Sequence, residues 1–168
     1  MQKKVKPQSW IGFAGAVHIT QPPKDFNDGA LWCTIDPGDN TSICHWVKGI
    51  QEGPVDNYKN CLLDIPTVAD GFKKNVIIED VELWGGSSIS FASASSGDLF
   101  KLAFEVGALI YQFRKNHFPV YIVSPRVWKG QLNYTQLRHI LLEKFHIETK
   151  NDHEASAIGI GLWAKCQF

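Results

Sequence analysis

Three stretches of the chain end in side chains that suit the coordination of a hard divalent cation. In Leu31-Trp-Cys-Thr-Ile-Asp36 an apolar run delivers one carboxylate into Pro37-Gly38-Asp39-Asn40, a composition that reverses the chain. In Asn75-Val-Ile-Ile-Glu79 a β-branched run breaks into carboxylates, and a buried strand has little reason to carry Glu79 unless it is paired or ligated. In Asp152-His153-Glu154-Ala155-Ser156 a histidine and a serine stand three residues apart, on one side of a helical turn. Each has a plainer use: Asp36 opens a turn, Glu79 is an edge-strand charge, and His153 with Ser156 is capping chemistry. The three make chemical sense as one site only if the fold brings them together.

Patterning defines the elements that must do so. Asp36 and Glu79 each close a strand, and Asp80 points to the face opposite Glu79. Asp152 is placed as an N-cap, and Ala155, Ile158, Leu162 and Trp163 recur on helical spacing; Gly159 and Gly161 are expected where that helix packs closely on the sheet. Residues from Ser87 to Asp98 are small and polar and read as a mobile loop. Leu99 to Phe113 is apolar on more than one face and reads as a helix buried on both sides, capped by Ser96 or Asp98. Pro119 to Val123 reads as a strand, and Tyr134 to Phe145 as a helix with Leu137, Ile140, Leu141 and Phe145 on its core side.

At 168 residues and 44% hydrophobic content the chain can bury one full core, and its alternating patterns point to an α/β domain. No run is apolar and long enough to cross a membrane and no secretory leader is visible, so a soluble, cytoplasmic protein is expected. Cys33, Cys44, Cys61 and Cys166 are scattered without a Cys-x-x-Cys pair, which argues for free thiols.

Together the three clusters resemble the RuvC-like Holliday-junction resolvases, phage and bacterial members of the RNase H-like superfamily. The resemblance runs from about Ala30 to Trp163: Ile35-Asp36-Pro37-Gly38 at the end of a strand, Glu79 at the end of a later one, and His153-Glu154-Ala155-Ser156 opening a C-terminal helix. Pro125-Arg126-Val127-Trp128-Lys129-Gly130 is similar to a further stretch of that family. It implies an RNase H-like mixed central sheet flanked by helices, with an N-terminal extension at residues 1–29 and the nuclease domain at 30–168. Trp10, Ile11, Phe13 and Val17 of that extension could form a short element packed on the domain, set off by Pro22-Pro23.

The resemblance also implies a function: an endodeoxyribonuclease, active as a homodimer in a bacterial cell or phage-infected host, that resolves four-way or other branched DNA by two-metal hydrolysis. Asp36, Glu79, His153 and Ser156 occupy the catalytic positions, with Mg²⁺ as the cofactor and Mn²⁺ as its substitute. Ser156 departs from the pattern, which has an aspartate there, and a neutral hydroxyl is a poor ligand for Mg²⁺. Asp152 is the nearest acid that could stand in, so the candidate metal ligands are Asp36, Glu79, His153 and Asp152. The departure leaves open a site that cleaves with rearranged ligands, a catalytically inactive protein that binds branched DNA or a protein partner, and an altered position.

Charge is segregated along a neutral chain. Residues 31–82 carry 4 basic and 9 acidic side chains, whereas residues 101–150 carry 8 basic and 3 acidic. The basic stretch supplies the candidate DNA contacts Arg114, Lys115, Arg126, Lys129 and Arg138, and Trp128 beside Lys129 could stack on an unpaired base or pack in the core. Asp36-x-Gly38-x-x-Thr41 also resembles the first phosphate turn of actin-like ATPases, but 168 residues leave no room for their second domain.

Overall fold

The run Leu31–Asp36 forms strand β2, the hinge of the architecture, because its two faces are covered by two different helices. The computed structural model describes residues 15–59, 74–81 and 97–167. Within them lie strands β1 (Ala16–His18), β2, β3 (Asn40–Val47), β4 (Ile50–Gln51), β5 (Asp56–Lys59), β6 (Lys74–Glu79) and β7 (Val120–Val123). The helices are α1 (Asp98–Lys115), α2 (Pro125–Trp128), α3 (Tyr134–Phe145) and α4 (Asp152–Ala164). The polar stretch 87–96 lies outside the described residues.

The strands form one mixed sheet in the order β1-β7-β6-β2-β3-β4, with β5 also on β3. β1, β7, β6 and β2 run parallel, while β3 returns antiparallel to β2 through the Pro37-Gly38-Asp39 turn. Thr41 closes that turn by donating its hydroxyl to the Gly38 carbonyl at 3.1 Å. β1 lies before residue 30, and Phe26 is wholly buried among Trp32 and Trp46. The extension drawn at residues 1–29 therefore contributes a strand and a core aromatic to the same sheet.

Alternation along the strands divides the core. Trp32, Cys44, Trp46 and Ile77 face α4, while Cys33, Ile35, Ile43, Val76 and Ile78 face α1. Gly159 and Gly161 of α4 meet two indoles: a Cβ at Gly161 would lie 1.9 Å from Trp46 Cζ2, and one at Gly159 would lie 2.5 Å from Trp128 Cζ3. The close approach expected of both glycines is thus real.

Three expectations are corrected. α1 is not buried on both sides: Val106, Leu109, Ile110 and Phe113 pack on the sheet, but Phe100, Phe104 and Tyr111 stand in solvent. Among the described residues no other helix covers its outer face, which is why apolarity all round did not mean burial all round. Its N-cap is Gly97, with no side-chain capping bond, so Asp98 lies inside the first turn. For α4 the cap is Asn151 rather than Asp152; the Asn151 side chain accepts from the Glu154 backbone N–H at 2.8 Å.

Candidate functional site

β2 and β6 are parallel neighbours with Ile35 opposite Ile78, so Asp36 and Glu79 leave the sheet at the same level and on the α4 face. The first turn of α4 then crosses the strand ends. His153 Nδ1 meets Asp36 Oδ2 at 2.9 Å, joining two clusters that lie far apart in the sequence. Gly38, at φ 149°, lets the turn pass under the imidazole, because a Cβ there would come within 3.0 Å of His153 Cε1.

The two acids are buried and share one neighbourhood. Burial pushes the Asp36 carboxyl above the usual range, against the opposing effects of the His153 hydrogen bond, His153 charge, Lys129 and the Ser156 hydroxyl. Glu79 is pushed up to about 8, first by burial and then by the Asp36 charge, while Lys129 and Trp128 act the other way. The hydrogen bond to Asp36 raises His153 above the ordinary imidazole value. Asp36 and Glu79 are therefore short of positive charge in the protein alone.

Glu79 has two neighbours from one short segment. Trp128 Nε1 donates to Glu79 Oε2 at 2.8 Å, and Lys129 Nζ lies 4.0 Å from Glu79 Oε1. Of the two roles open to Trp128, core packing is the one observed: it is buried under α4 with its indole committed to Glu79, so neither face is open to a base. Ser156 lies one turn after His153, fully buried, and its hydroxyl has no partner at ordinary hydrogen-bond length.

The remaining candidates separate by position. Asp152 does not join the acids; it is half exposed and faces Arg138, whose Nη1 is 3.8 Å away and whose Nη2 donates to the Thr149 carbonyl at 3.0 Å. Arg126 is exposed on α2, which follows the site end of β7. Arg114 and Lys115 close α1, whose chain then enters β7 at the edge remote from Glu79. With about 1.5 Å rise per residue, a helix of that length carries them away from Asp36. Tyr134, not singled out by sequence reasoning, lies with its ring 4.4 Å from Lys129 Nζ. Its signal was an aromatic at the first position of a helix five residues beyond a lysine, which is visible only once the site is known.

Asp36, Glu79 and His153 are the residues that could hold a divalent cation. Two carboxylates and an imidazole fit such an ion, and added positive charge would relieve the upward push on both acids. Ser156 contributes no charge. Among the described residues no three His, Cys, Asp or Glu side chains already stand at ligating distance of one point.

The chain matches no protein-family model and no curated protein sequence. Among solved structures it is similar to one described as "T. thermophilus RuvC in complex with Holliday junction substrate". The TM-score is 0.51 at 14% identity, covering 79% of this chain and 90% of that one. At that identity the likeness shows the fold: an RNase H-like, RuvC-like α/β sheet flanked by helices. Among the described residues no helix is long and apolar enough to cross a membrane.

Proposed function

We propose that the chain is a structure-selective endodeoxyribonuclease acting on four-way or related branched DNA with Mg²⁺, Mn²⁺ substituting. The observation that carries the reading is the pair of buried acids, Asp36 and Glu79, side by side on neighbouring strand ends and closed by His153. The fold shared with a RuvC bound to a Holliday junction supports branched DNA as the substrate class. Asp36, Glu79 and His153 would hold the cation, which would supply Lewis-acid stabilisation of charge on a phosphodiester and lower the pKa of a bound water. Lys129 and Arg126, at the same end of the sheet, meet the phosphates.

A resolvase must cut two strands, so we assign a homodimer, with Phe100, Phe104 and Tyr111 of α1 as its apolar seam. These residues project along one stripe at helical spacing. We also assign the compartment to the cytoplasm, where branched DNA of a bacterial cell or infecting phage is found.

One observation favours a second reading, that the protein binds junctions without cutting them. Ser156 gives the site a neutral, buried hydroxyl, and Asp152 is turned to Arg138 instead. Incubating a labelled four-way junction with the protein and Mg²⁺ or Mn²⁺ separates the two. Paired nicks that vanish in Asp36→Asn establish the nuclease. Junction binding with no product establishes the binding protein. Affinity equal for junction and duplex and insensitive to salt would refute both.

A further inference from the structure

We propose that Tyr134 is a positioning residue: with Trp128 it clamps the Lys129 ammonium beside Glu79, making Lys129 a built-in counter-ion of the acid pair. The consequence for a cation rests on the site proposed above, whereas the clamp itself does not.

A lysine ordinarily keeps its head in water, yet only 12% of the Lys129 side chain is exposed. Its Nζ lies 4.4 Å from the centre of the Tyr134 ring and 5.1 Å from that of Trp128, both inside the ~6 Å range of cation–π attraction. The Trp128 ring is fixed by its own contacts, whereas Tyr134 is 42% exposed and is positioned through its backbone. The Trp128 indole is held by its bond to Glu79 and by the space at Gly159. Tyr134 opens α3 directly after a capping box, in which the Asn133 side chain accepts from Gln136 N–H at 2.9 Å and the Gln136 side chain accepts from Asn133 N–H at 3.0 Å. The connection itself is short, with Lys129 N–H bonded to Pro125 O and Leu132 N–H to Lys129 O.

The clamp therefore sets a flexible, four-carbon stem between a ring anchored by Glu79 and a ring carried on the capped first turn of α3. Burial, then the charges of Glu79, Asp36 and Asp152, push the Tyr134 phenol upward, so it stays protonated. What the clamp does follows from Coulomb's law. An ammonium held near Glu79 offsets part of the acid charge and repels an incoming dication; released, it does neither.

Calorimetric titration of the full chain with Mn²⁺, without DNA, reads the effect. Lys129→Met should bind Mn²⁺ about tenfold more tightly, the size expected for removing one nearby, partly screened charge. Tyr134→Leu should gain several-fold, Tyr134→Phe nothing, and the Lys129→Met/Tyr134→Leu double variant no more than Lys129→Met. Junction cleavage by Lys129→Met should fall all the same, because a phosphate loses its counter-ion. An equal Tyr134→Leu gain in the Lys129→Met background would overturn the clamp, as would Tyr134→Phe behaving like Tyr134→Leu.

A second readout needs no cation. The Lys129 Hε protons should be shifted upfield by the two ring currents in the unaltered chain and in Tyr134→Phe, and should move toward random-coil positions in Tyr134→Leu. Unshifted Hε protons in the unaltered chain refute the clamp whatever the metal does. Mn²⁺ affinity undiminished in Glu79→Gln refutes the site while leaving a ring-shifted lysine standing.

Discussion

Helices α4 and α1 cover opposite faces of one sheet and meet solvent differently. Every residue of α4 from Glu154 to Ala164 is buried, because the sheet lies on one side and α3 and α2 on the other. α1 has the sheet beneath it, and Phe100, Phe104 and Tyr111 remain outside. The side chains account for the contrast. α4 offers Ala155, Ala157, Gly159 and Gly161, and into that low relief the Trp46 and Trp128 rings fit; α1 offers bulky aromatics for which the described chain has no cover. The ends differ too. α4 aims His153 at Asp36, whereas α1 reaches over the same turn with Lys101, which pairs with exposed Asp39. One helix builds a site and the other presents a surface.

The largest expected effect tests whether the α4 end is a site. Asp36→Asn should reduce junction cleavage by about a thousandfold, ~4 kcal/mol at 1.4 kcal/mol per factor of ten, with junction affinity largely kept. Ser156→Asp should raise cleavage about a hundredfold by adding an oxygen ligand, and should lower the melting temperature in chelator, since it buries a third acid. Mn²⁺ should restore that temperature. Cleavage that is robust in the unaltered chain and indifferent to Asp36→Asn would end the assignment of the site.

How much of this was legible depended on the kind of signal. The strands bearing Asp36 and Glu79 were readable because an apolar β-branched run that stops at a carboxylate marks the mouth of a buried strand, and their adjacency followed from the resemblance. The glycines of α4 were readable as packing residues, though not the indoles they admit. The burial of α1 was misread because periodicity reports which residues are apolar and not whether a partner exists to cover them. The Asn151 cap was missed by one residue, the usual uncertainty at a helix end. Tyr134 was beyond reach, since the fold alone brings it near Lys129, and the sequence placed Trp128 beside Lys129 without revealing its bond to Glu79.

Next in size is the packing of α4. Gly161→Ala would thrust a methyl into Trp46 and should destabilise the fold by about 3 kcal/mol, read by chemical unfolding. Gly159→Ala should cost about as much and also displace Trp128 from Glu79. Little change from either would mean that α4 is less tightly seated than its burial implies.

The α1 face should give the opposite pattern. Phe104→Ala, at a side chain 71% exposed, should leave the stability of the monomer within ~0.5 kcal/mol. Phe100→Ala combined with Phe104→Ala should shift sedimentation from dimer to monomer and uncouple the two strand cuts. A monomeric unaltered chain would remove the seam, and a large loss of monomer stability would restore the two-sided burial first read from the sequence.

The smallest effect is a pH slope, and it separates the two faces by the charge each has buried. In metal-free protein Glu79 is raised from 4.5 to about 8, so its contribution to stability is complete below its unfolded value and is lost as pH climbs through the folded one. His153, raised by its bond to Asp36, acts in the same direction: its contribution is present below 6.5 and fades above its folded value. On the α1 side Glu105 is also raised by burial, but Lys101 opposes the shift. Melting temperature should therefore fall as pH rises from about 5.5 to 8.5, flatten in Glu79→Gln, and keep nearly its full slope in Glu105→Gln. A dication bound at Asp36 and Glu79 favours their ionised forms, so Mn²⁺ should reverse the slope, stabilising more at high pH than at low. A slope unchanged by Glu79→Gln would show that Lys129 balances the buried acid in full and not only in part, and with it would go the strongest reason to place a cation there.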